Sequence, residues 1–529
     1  MKAYCFPKEI DTESFESEEQ AISRSEPIET NKTKLGRSIK VNIGRTRYSI
    51  VKEVCKILFN YTLTANTNND WDLMWADTGI NATFVSKMKL YQKVNHFPSM
   101  SCLARKNNLA KNLMRMRRHF PREYSFFPPS WVMPKEYNEF KAYHVKHQSD
   151  IYIVKPEAMC QGRGIFLIHS PENIDSEDCY VVQRYLNNPY LIEGLKFDLR
   201  IYVLVYGCDP LRVYIYKEGL VRLATEKYEK ANARNIDNKC MHLTNYAINK
   251  KNENFIFNED EDKADIGNKR SLGFLWSYID SQGGNSKLLL KRIKRIIVKS
   301  LCAVQPQLAH SYRTCQPNDV GNNMCFEVLG FDVLLDEKLK PWLLEVNHTP
   351  SFCADTPFDY KVKKELIYNT IKLLDMNSSR RLKYYKKKED ELQAKALGKM
   401  QLKQTRSQLA KLRKREMEKR DEYELKNMGG YERIYPDTKM NEKYNQLIEV
   451  AENDWQEFYG YKKHAPIHNA YKEDEHDTSI DFSIEETSRK GNMMVDARKV
   501  AKPIARVNLD YDTDNFSESN GNFFKDNRT

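Results

Sequence analysis

The chain has no run approaching the roughly 18 apolar residues that a membrane-spanning helix requires. Its most apolar stretch, RIYVLVYG (200–207), is short and opens on Arg200. A membrane protein is therefore not expected. The eleven cysteines include no CxxC pair and no repeated spacing, which excludes a zinc ribbon or a disulfide framework and points to reduced cytosolic thiols. The N-terminal stretch MKAYCFPKEIDTESFESEEQ is acidic and lacks an apolar h-region, so no secretory signal is expected. No GxxxxGK[ST] loop occurs, which removes the Walker-type NTPases. No RRM, KH or zinc-finger pattern supports nucleic-acid binding, and no internal repeat is visible.

The 529 residues are enough for two or three ordinary domains with a large core. With 30% charged residues and a mean hydropathy of -0.72, a folded part with polar appendages is expected. Residues 1–36 are rich in Ser, Glu and Thr and read as a disordered acidic segment. A catalytic-sized folded region spans 37–375. Residues 380–420 hold sixteen Lys or Arg against five Asp or Glu, a net of +11 beside the whole chain's +12. Gly and Pro are nearly absent there, so 376–425 reads as long basic helix. Its one-signed charge favours an anionic partner over a merely solvated face. Residues 426–529 read as a mostly disordered polar tail.

Strand signals dominate the folded region. DIYIVKP (150–156), YVVQRYL (180–186), KFDLRIYVLVYG (196–207) and LRVYIYKEGLVRLA (211–224) are β-branched and aromatic runs between turn formers. Helical periodicity appears over 99–120 and 286–304. Strands and helices intermingle, so the class is α/β (α+β).

The stretch CFEVLGFDVLLDEKLKPWLLEVNHTPSF (325–352) reads as a hairpin of two apolar strands, 326–335 and 342–346. If Leu335 faces Trp342, Asp332 faces Glu345, and Asn347 lies on the same face. Two acids opposed within apolar strands destabilise a sheet. A divalent cation removes the conflict, and an all-oxygen set suits Mg²⁺. The alternative is a slipped register that turns one acid to solvent. In VKPEAMCQGRGIFLI (154–168), Lys155 ends a strand and a glycine-bearing loop follows, which suits phosphate oxygens but also describes an ordinary turn. Lys196, Asp198 and Arg200 alternate on one strand face, as on any half-exposed strand. Arg222 is a lone cation inside LVRLA, and should be paired or face an anionic ligand.

Together with WADTG, KVNHFP, ARKNNLAKNLMRMR, VVQRYL, MHLTNYAINK and DYKVKKEL, these motifs resemble, in order over about 37–375, the tubulin tyrosine ligase-like family of ATP-grasp ligases, and its polyglutamylating branch most closely. The resemblance implies an ATP-grasp fold with N-terminal, central and C-terminal subdomains followed by basic helices. It implies that Lys155, Gln161, Gly162, Gln183, Arg184, Tyr185, Leu186, Lys196, Phe197, Asp198, Thr244 and Asn245 bind ATP. Asp332, Glu345 and Asn347 would hold Mg²⁺. Arg200 would face the transferred phosphoryl group, while Arg222, Tyr246, Lys269 and Lys363 would hold free L-glutamate. The expected reaction joins glutamate to glutamates of the acidic tubulin C-terminal tails through an acyl phosphate.

Lys386, Lys387, Lys388, Arg413, Lys414 and Arg415 would bind the microtubule. A monomer in the cytoplasm and cytoskeleton, extending to the ciliary axoneme and basal body, is expected. Glycine or tyrosine ligation, and a catalytically silent microtubule-binding protein, are the alternatives. Arg222 argues against glycine, which has no side-chain carboxylate. His348 follows Asn347 directly. A histidine at a strand end is commonly structural, but the resembling glutamylases carry one here when they elongate chains, so elongation is expected with His348 orienting the α-carboxylate of the growing chain.

Overall fold

The computed structural model describes residues 38–460, apart from 66–69, 158, 160, 176, 261–262, 264, 399–404 and 438–439. Strands β1 (Lys40–Arg45), β2 (Thr62–Thr64), β3 (Leu73–Ala76) and β4 (Lys93–Val94) form a parallel sheet in the order β2-β1-β3-β4. A small antiparallel sheet follows, ordered β5-β8-β6-β7, from β5 (Ser130–Val132), β6 (Tyr152–Pro156), β7 (Phe166–Ile168) and β8 (Tyr180–Arg184). The central antiparallel sheet holds β9 (Leu191–Ile192), β10 (Leu195–Cys208), β11 (Leu211–Lys227), β12 (Lys269–Ser271), β13 (Glu327–Leu335) and β14 (Pro341–Asn347). Its order is β12-β11-β10-β13-β14, with β9 beside β10.

The side-chain period of two explains how this sheet serves both core and site. Along β10, Phe197, Leu199, Ile201, Val203 and Val205 enter one apolar cluster with the helices Lys106–His119, Ser286–Cys302 and Gln305–Cys315. The intervening Tyr202, Leu204 and Tyr206 enter a second cluster with β1, β3 and the helix Pro357–Leu373. That second face changes character toward the start of β10, where the residues at the same parity are Arg200, Asp198 and Lys196. The site is the polar end of one face of an otherwise apolar sheet.

Four expectations change. The register near the β13–β14 turn is Leu334 opposite Trp342 and Leu335 opposite Pro341, one residue from the expected pairing. A bulge between Asp332 and Val333 restores the frame, so Asp332 does stand opposite Glu345. The helical pattern over 99–120 breaks at Arg105, which is extended, into Ser101–Ala104 and Lys106–His119. Asn112 donates to the carbonyl of Cys102 (2.9 Å), which a continuous helix would have paired, and Asn108 adds a bond to the Ser101 carbonyl (3.1 Å) beside the Arg105 N–H.

The basic segment is two helices, Ser379–Ala396 and Arg406–Asn427. Gly398 at φ +66° follows the first, and Thr405 caps the second in a capping box with Gln408. The expected tail after residue 425 is ordered at its start: β15 (Tyr431–Tyr435) pairs with β11, and the helix Asn441–Phe458 packs Tyr444, Leu447, Ile448 and Ala451 into the first core cluster. The expectations for 1–36 and for 461–529 fall on residues outside those described. Among the described residues no helix is long and apolar enough to cross a membrane.

Candidate active site

The ladder itself assembles the charges. Asp198 stands opposite Arg222 of β11, Arg200 opposite Asp332 of β13, and Asp332 opposite Glu345 of β14. Arg200 grips Asp332 with both ends of its guanidinium, Nε to Oδ1 at 2.6 Å and Nη2 to Oδ2 at 3.0 Å. Arg222 donates to Asp198 through Nε at 2.8 Å and reaches Asp332 Oδ2 with Nη2 at 2.9 Å. Gly330 makes the crossing of Arg200 possible: a Cβ there would lie 3.0 Å from Arg200 Cδ.

Asn347 Nδ2 donates to Asp332 Oδ2 and Glu345 Oε1, each at 3.2 Å. Burial pushes the Asp332 carboxyl up, but Arg200 and Arg222 outweigh it and hold the group well below the usual carboxylate range. Burial and the neighbouring Asp332 push Glu345 the other way, above its ordinary value. The network thus keeps one acid in surplus.

The small sheet supplies the other wall. Lys155 on β6 donates to Gln183 Oε1 at 2.8 Å, and Gln183 in turn donates to Ser130 Oγ at 2.8 Å. Lys196 donates to the Tyr185 hydroxyl and the His242 carbonyl, both at 2.8 Å. Burial pushes Lys155 down to about 8, against the pull of Glu345, and Lys196 down to about 7, against that of Asp198. Burial and Lys196 push His242 down to about 4. An anion entering here meets ammonium groups whose protonation it would favour.

A cleft joins these walls. It brings together Lys155, Gln183, Arg184, Tyr185, Leu186, Lys196, Asp198, Thr244, Asn245, Asp332 and Glu345, with Ile153, Ile165, Leu334 and Leu344 as its apolar lining. Phe197 does not enter it. Its side chain lies on the opposite face of β10 in the core, because successive residues alternate. Gln161 and Gly162 sit outside the cleft in a turn with φ of +61° and +77°. Gly162 packs so closely on Asn245 that a Cβ would lie 3.0 Å from its Oδ1. Arg222 is paired with acids rather than left facing the cleft.

The other three residues of the expected amino-acid site gather nearby. Lys269 and Lys363 both bond Asp359 Oδ2, at 3.2 and 2.9 Å, and Lys269 Nζ lies 3.6 Å from the Tyr246 ring centroid. Tyr246 donates to Asp355 at 2.5 Å. His348 faces a separate small cavity with His96 and Asp77. Lys386, Lys387, Lys388, Lys414 and Arg415 are exposed on the two basic helices, and Arg413 is half-buried.

Sequence reasoning missed Ser130, His242 and Asp359. His242 and Asp359 were within reach, since they lie in the motifs MHLTNYAINK and DYKVKKEL.

The model of the tubulin-tyrosine ligase family matches residues 84–383. That is more than half of the chain. The chain belongs to the tubulin-tyrosine ligase family. The mixed sheet-and-helix architecture is in keeping with the ATP-grasp-like α/β fold of that family. Among its relatives is a probable beta-tubulin polyglutamylase of Tetrahymena thermophila, 50% identical over 403 residues, which cover 76% of this chain and 34% of the relative. The tubulin polyglutamylase TTLL6 of Mus musculus is 40% identical over 415 residues, 78% of this chain and 49% of that protein. The tubulin polyglutamylase TTLL7 of Homo sapiens is 38% identical over 448 residues, 79% and 50% respectively. The chain thus spans about a third to a half of these family members' lengths.

The donor set fits Mg²⁺. Two carboxylates and an amide converge, all hard oxygen donors once the Asn347 amide turns over to present Oδ1. The surplus charge at Glu345 is what a dication would neutralise.

Proposed function

We propose that this family member is an ATP- and Mg²⁺-dependent tubulin polyglutamylase that mainly elongates glutamate chains. The observation that carries this reading is the cleft where Lys155 and Lys196 face Asp198, Asp332 and Glu345. The names of the relatives support the choice of tubulin and glutamate.

A carboxylate is a poor electrophile, and phosphorylation gives it a leaving group. In this reading Lys155 and Lys196 hold the ATP phosphates, and the segment Gln183–Leu186 edges the base. Asp332, Glu345 and Asn347 would hold Mg²⁺, which would supply charge neutralisation for the phosphates. Arg200, kept in place by Asp332, faces the transferred group. Lys269 and Lys363 take a carboxylate of the incoming glutamate, whose amine attacks the acyl phosphate and releases phosphate. Arg222 holds Asp198 and Asp332 in register, and reads the donor side chain when the ligand draws it out of that pairing. The chemistry rests on positioning and preorganised charge, so no Ser or Cys nucleophile is needed. The exposed cations of the basic helices would hold the acidic microtubule surface nearby.

The test is incubation with microtubules, ATP and each labelled amino acid in turn, followed by mass spectrometry of the tubulin tails. Glutamate should be added in chains. Exclusive addition of glycine or tyrosine, or none at all, would overturn the reading.

A further inference from the structure

Outside the cleft, the described residues bring a second set of ligand atoms together: His96, Glu327 and His348, all within 4.8 Å of one another. They come from three places. His96 follows β4, Glu327 opens β13, and His348 follows β14.

His96 Nε2 lies 3.0 Å from the Ala76 carbonyl oxygen, which can only accept, so Nε2 carries a proton. In the neutral ring Nδ1 then holds a lone pair, yet it lies 2.8 Å from Glu327 Oε1, another acceptor. The second oxygen, Oε2, accepts the Phe97 N–H at 2.9 Å. His348 Nδ1 lies 3.8 Å from the same Oε1. Across the cavity that His96 and His348 line, Asp77 Oδ1 is buried with no hydrogen-bond partner. The ligand atoms of His96, Glu327 and His348 thus converge, with the Asp77 charge on the wall of the same cavity, and a bound cation would satisfy both imidazoles and the carboxylate together. A proton on His96 Nδ1 would account for the His96–Glu327 pair alone. It leaves the second imidazole and the orphaned Asp77 oxygen unexplained.

We propose that His96, Glu327 and His348 form a binding site for a divalent transition-metal ion, Zn²⁺ by its donor chemistry, with Asp77 supplying the remaining negative charge. Two imidazoles and a carboxylate are a borderline-soft set that suits Zn²⁺ and does not suit Mg²⁺. Tetrahedral zinc with bonds near 2.1 Å places its ligand atoms about 3.4 Å apart. The observed 2.8 and 3.8 Å bracket that spacing. The His96 Nε2–H to carbonyl bond is the outer contact that commonly fixes the tautomer of a ligating histidine. His348, about a third exposed, is the ligand free to swing in and close the site. Such an ion would tie the loop after β4 to the tip of β14, beside Asn347.

The full chain, stripped with a chelator and kept in excess Mg²⁺, should be titrated with Zn²⁺ by calorimetry and with Co²⁺ by visible absorption. The expected result is one Zn²⁺ per chain and a tetrahedral Co²⁺ spectrum without thiolate bands. His348→Ala and Glu327→Gln should each weaken Zn²⁺ binding about 10- to 100-fold or more. His119→Ala, a surface histidine beside Asp454, should leave it unchanged. Because His96 and Glu327 are buried, their variants can misfold. The half-exposed His348→Ala carries the test alone in that case. Equal affinity in wild type and His348→Ala, no binding by wild type, or a thiolate-dominated Co²⁺ spectrum would overturn the site. So would nitrogen NMR showing His96 doubly protonated and unmoved by Zn²⁺.

Discussion

The β10–β11 hairpin carries a buried ionic network at each end, and the two differ in one respect. At the far end Arg212 donates to Asp421 and Glu424 at 2.7 and 2.8 Å, and Arg420 donates to Glu424 at 2.6 Å. Arg420 also bonds the carbonyls of Gly321 and Asn322, and Arg433 bonds Asp421 at 2.6 Å. Every charge there has a fixed partner, and the network locks the second basic helix onto the sheet. At the near end Arg200 and Arg222 ion-pair with Asp198 and Asp332, whereas Glu345 opens into the cleft and Lys155 and Lys196 there bond only neutral groups among the described residues, Gln183, Tyr185 and the carbonyls of His242 and Leu344. A closed network fastens the fold, whereas one short of cations is reserved for a ligand.

Removing the surplus acid sharpens this contrast most. Glu345→Gln should lower ligation by at least about 10²–10³-fold, while thermal stability stays level or rises, since an uncompensated buried charge is gone. A variant that unfolds, or one that retains activity, would place Glu345 with the structural network instead.

The mirror experiment is Glu424→Gln. It strips Arg420 of its acidic partner and leaves Arg212 with Asp421 alone, and should cost about 3–5 kcal/mol of stability in a denaturant titration, with ATP affinity unchanged in the folded fraction. Lost ATP affinity at intact stability would reverse the assignment of the two ends.

Reversing Lys386, Lys387, Lys388, Arg413, Lys414 and Arg415 to Glu should weaken microtubule binding roughly tenfold or more at low salt and flatten its salt dependence. Activity on a short glutamate peptide should fall far less. Equal loss on both substrates would show that these cations act through the fold.

The smallest effect is a proton count. With Lys196 held down to about 7 and Lys155 to about 8, both lose charge as pH rises through those values, and bound phosphates restore it. ATP binding should therefore take up roughly one proton at pH 8 and almost none at pH 6. Calorimetry in two buffers of different ionisation enthalpy measures it. No uptake at pH 8 would mean that these lysines are not desolvated as described.

The site was legible wherever a strand's period of two put chemistry into the sequence. Lys196, Asp198 and Arg200 alternate with Phe197, Leu199 and Ile201, so their common face could be read directly. The Asp332–Glu345 pairing was right although the turn pairing was one residue out, because a bulge corrected the frame. No local pattern marks such a bulge. Phe197 was placed with the nucleotide by family resemblance, and its side chain belongs to the core by the same alternation that located its neighbours. The break in the basic segment had a readable signal in Gly398 and in Thr405 with Gln408.

The sequence by itself determined the strands, the mixed α/β class, the family and the acidic hairpin, since each follows from periodicity or from motifs a few residues long. Only the tertiary structure decided what became of polar segments whose partners are distant. Tyr431–Tyr435 looks like tail and is a strand, because β11 offers a free edge beside Val213–Tyr216. Glu424 sits in a solvated-looking basic helix and is buried, because Arg212 lies 212 residues away in the chain and 2.8 Å away in space. Arg222 is held by Asp198 and Asp332 for the same reason. Charge pairing across such separations depends on where the backbone is carried, and composition holds no record of that.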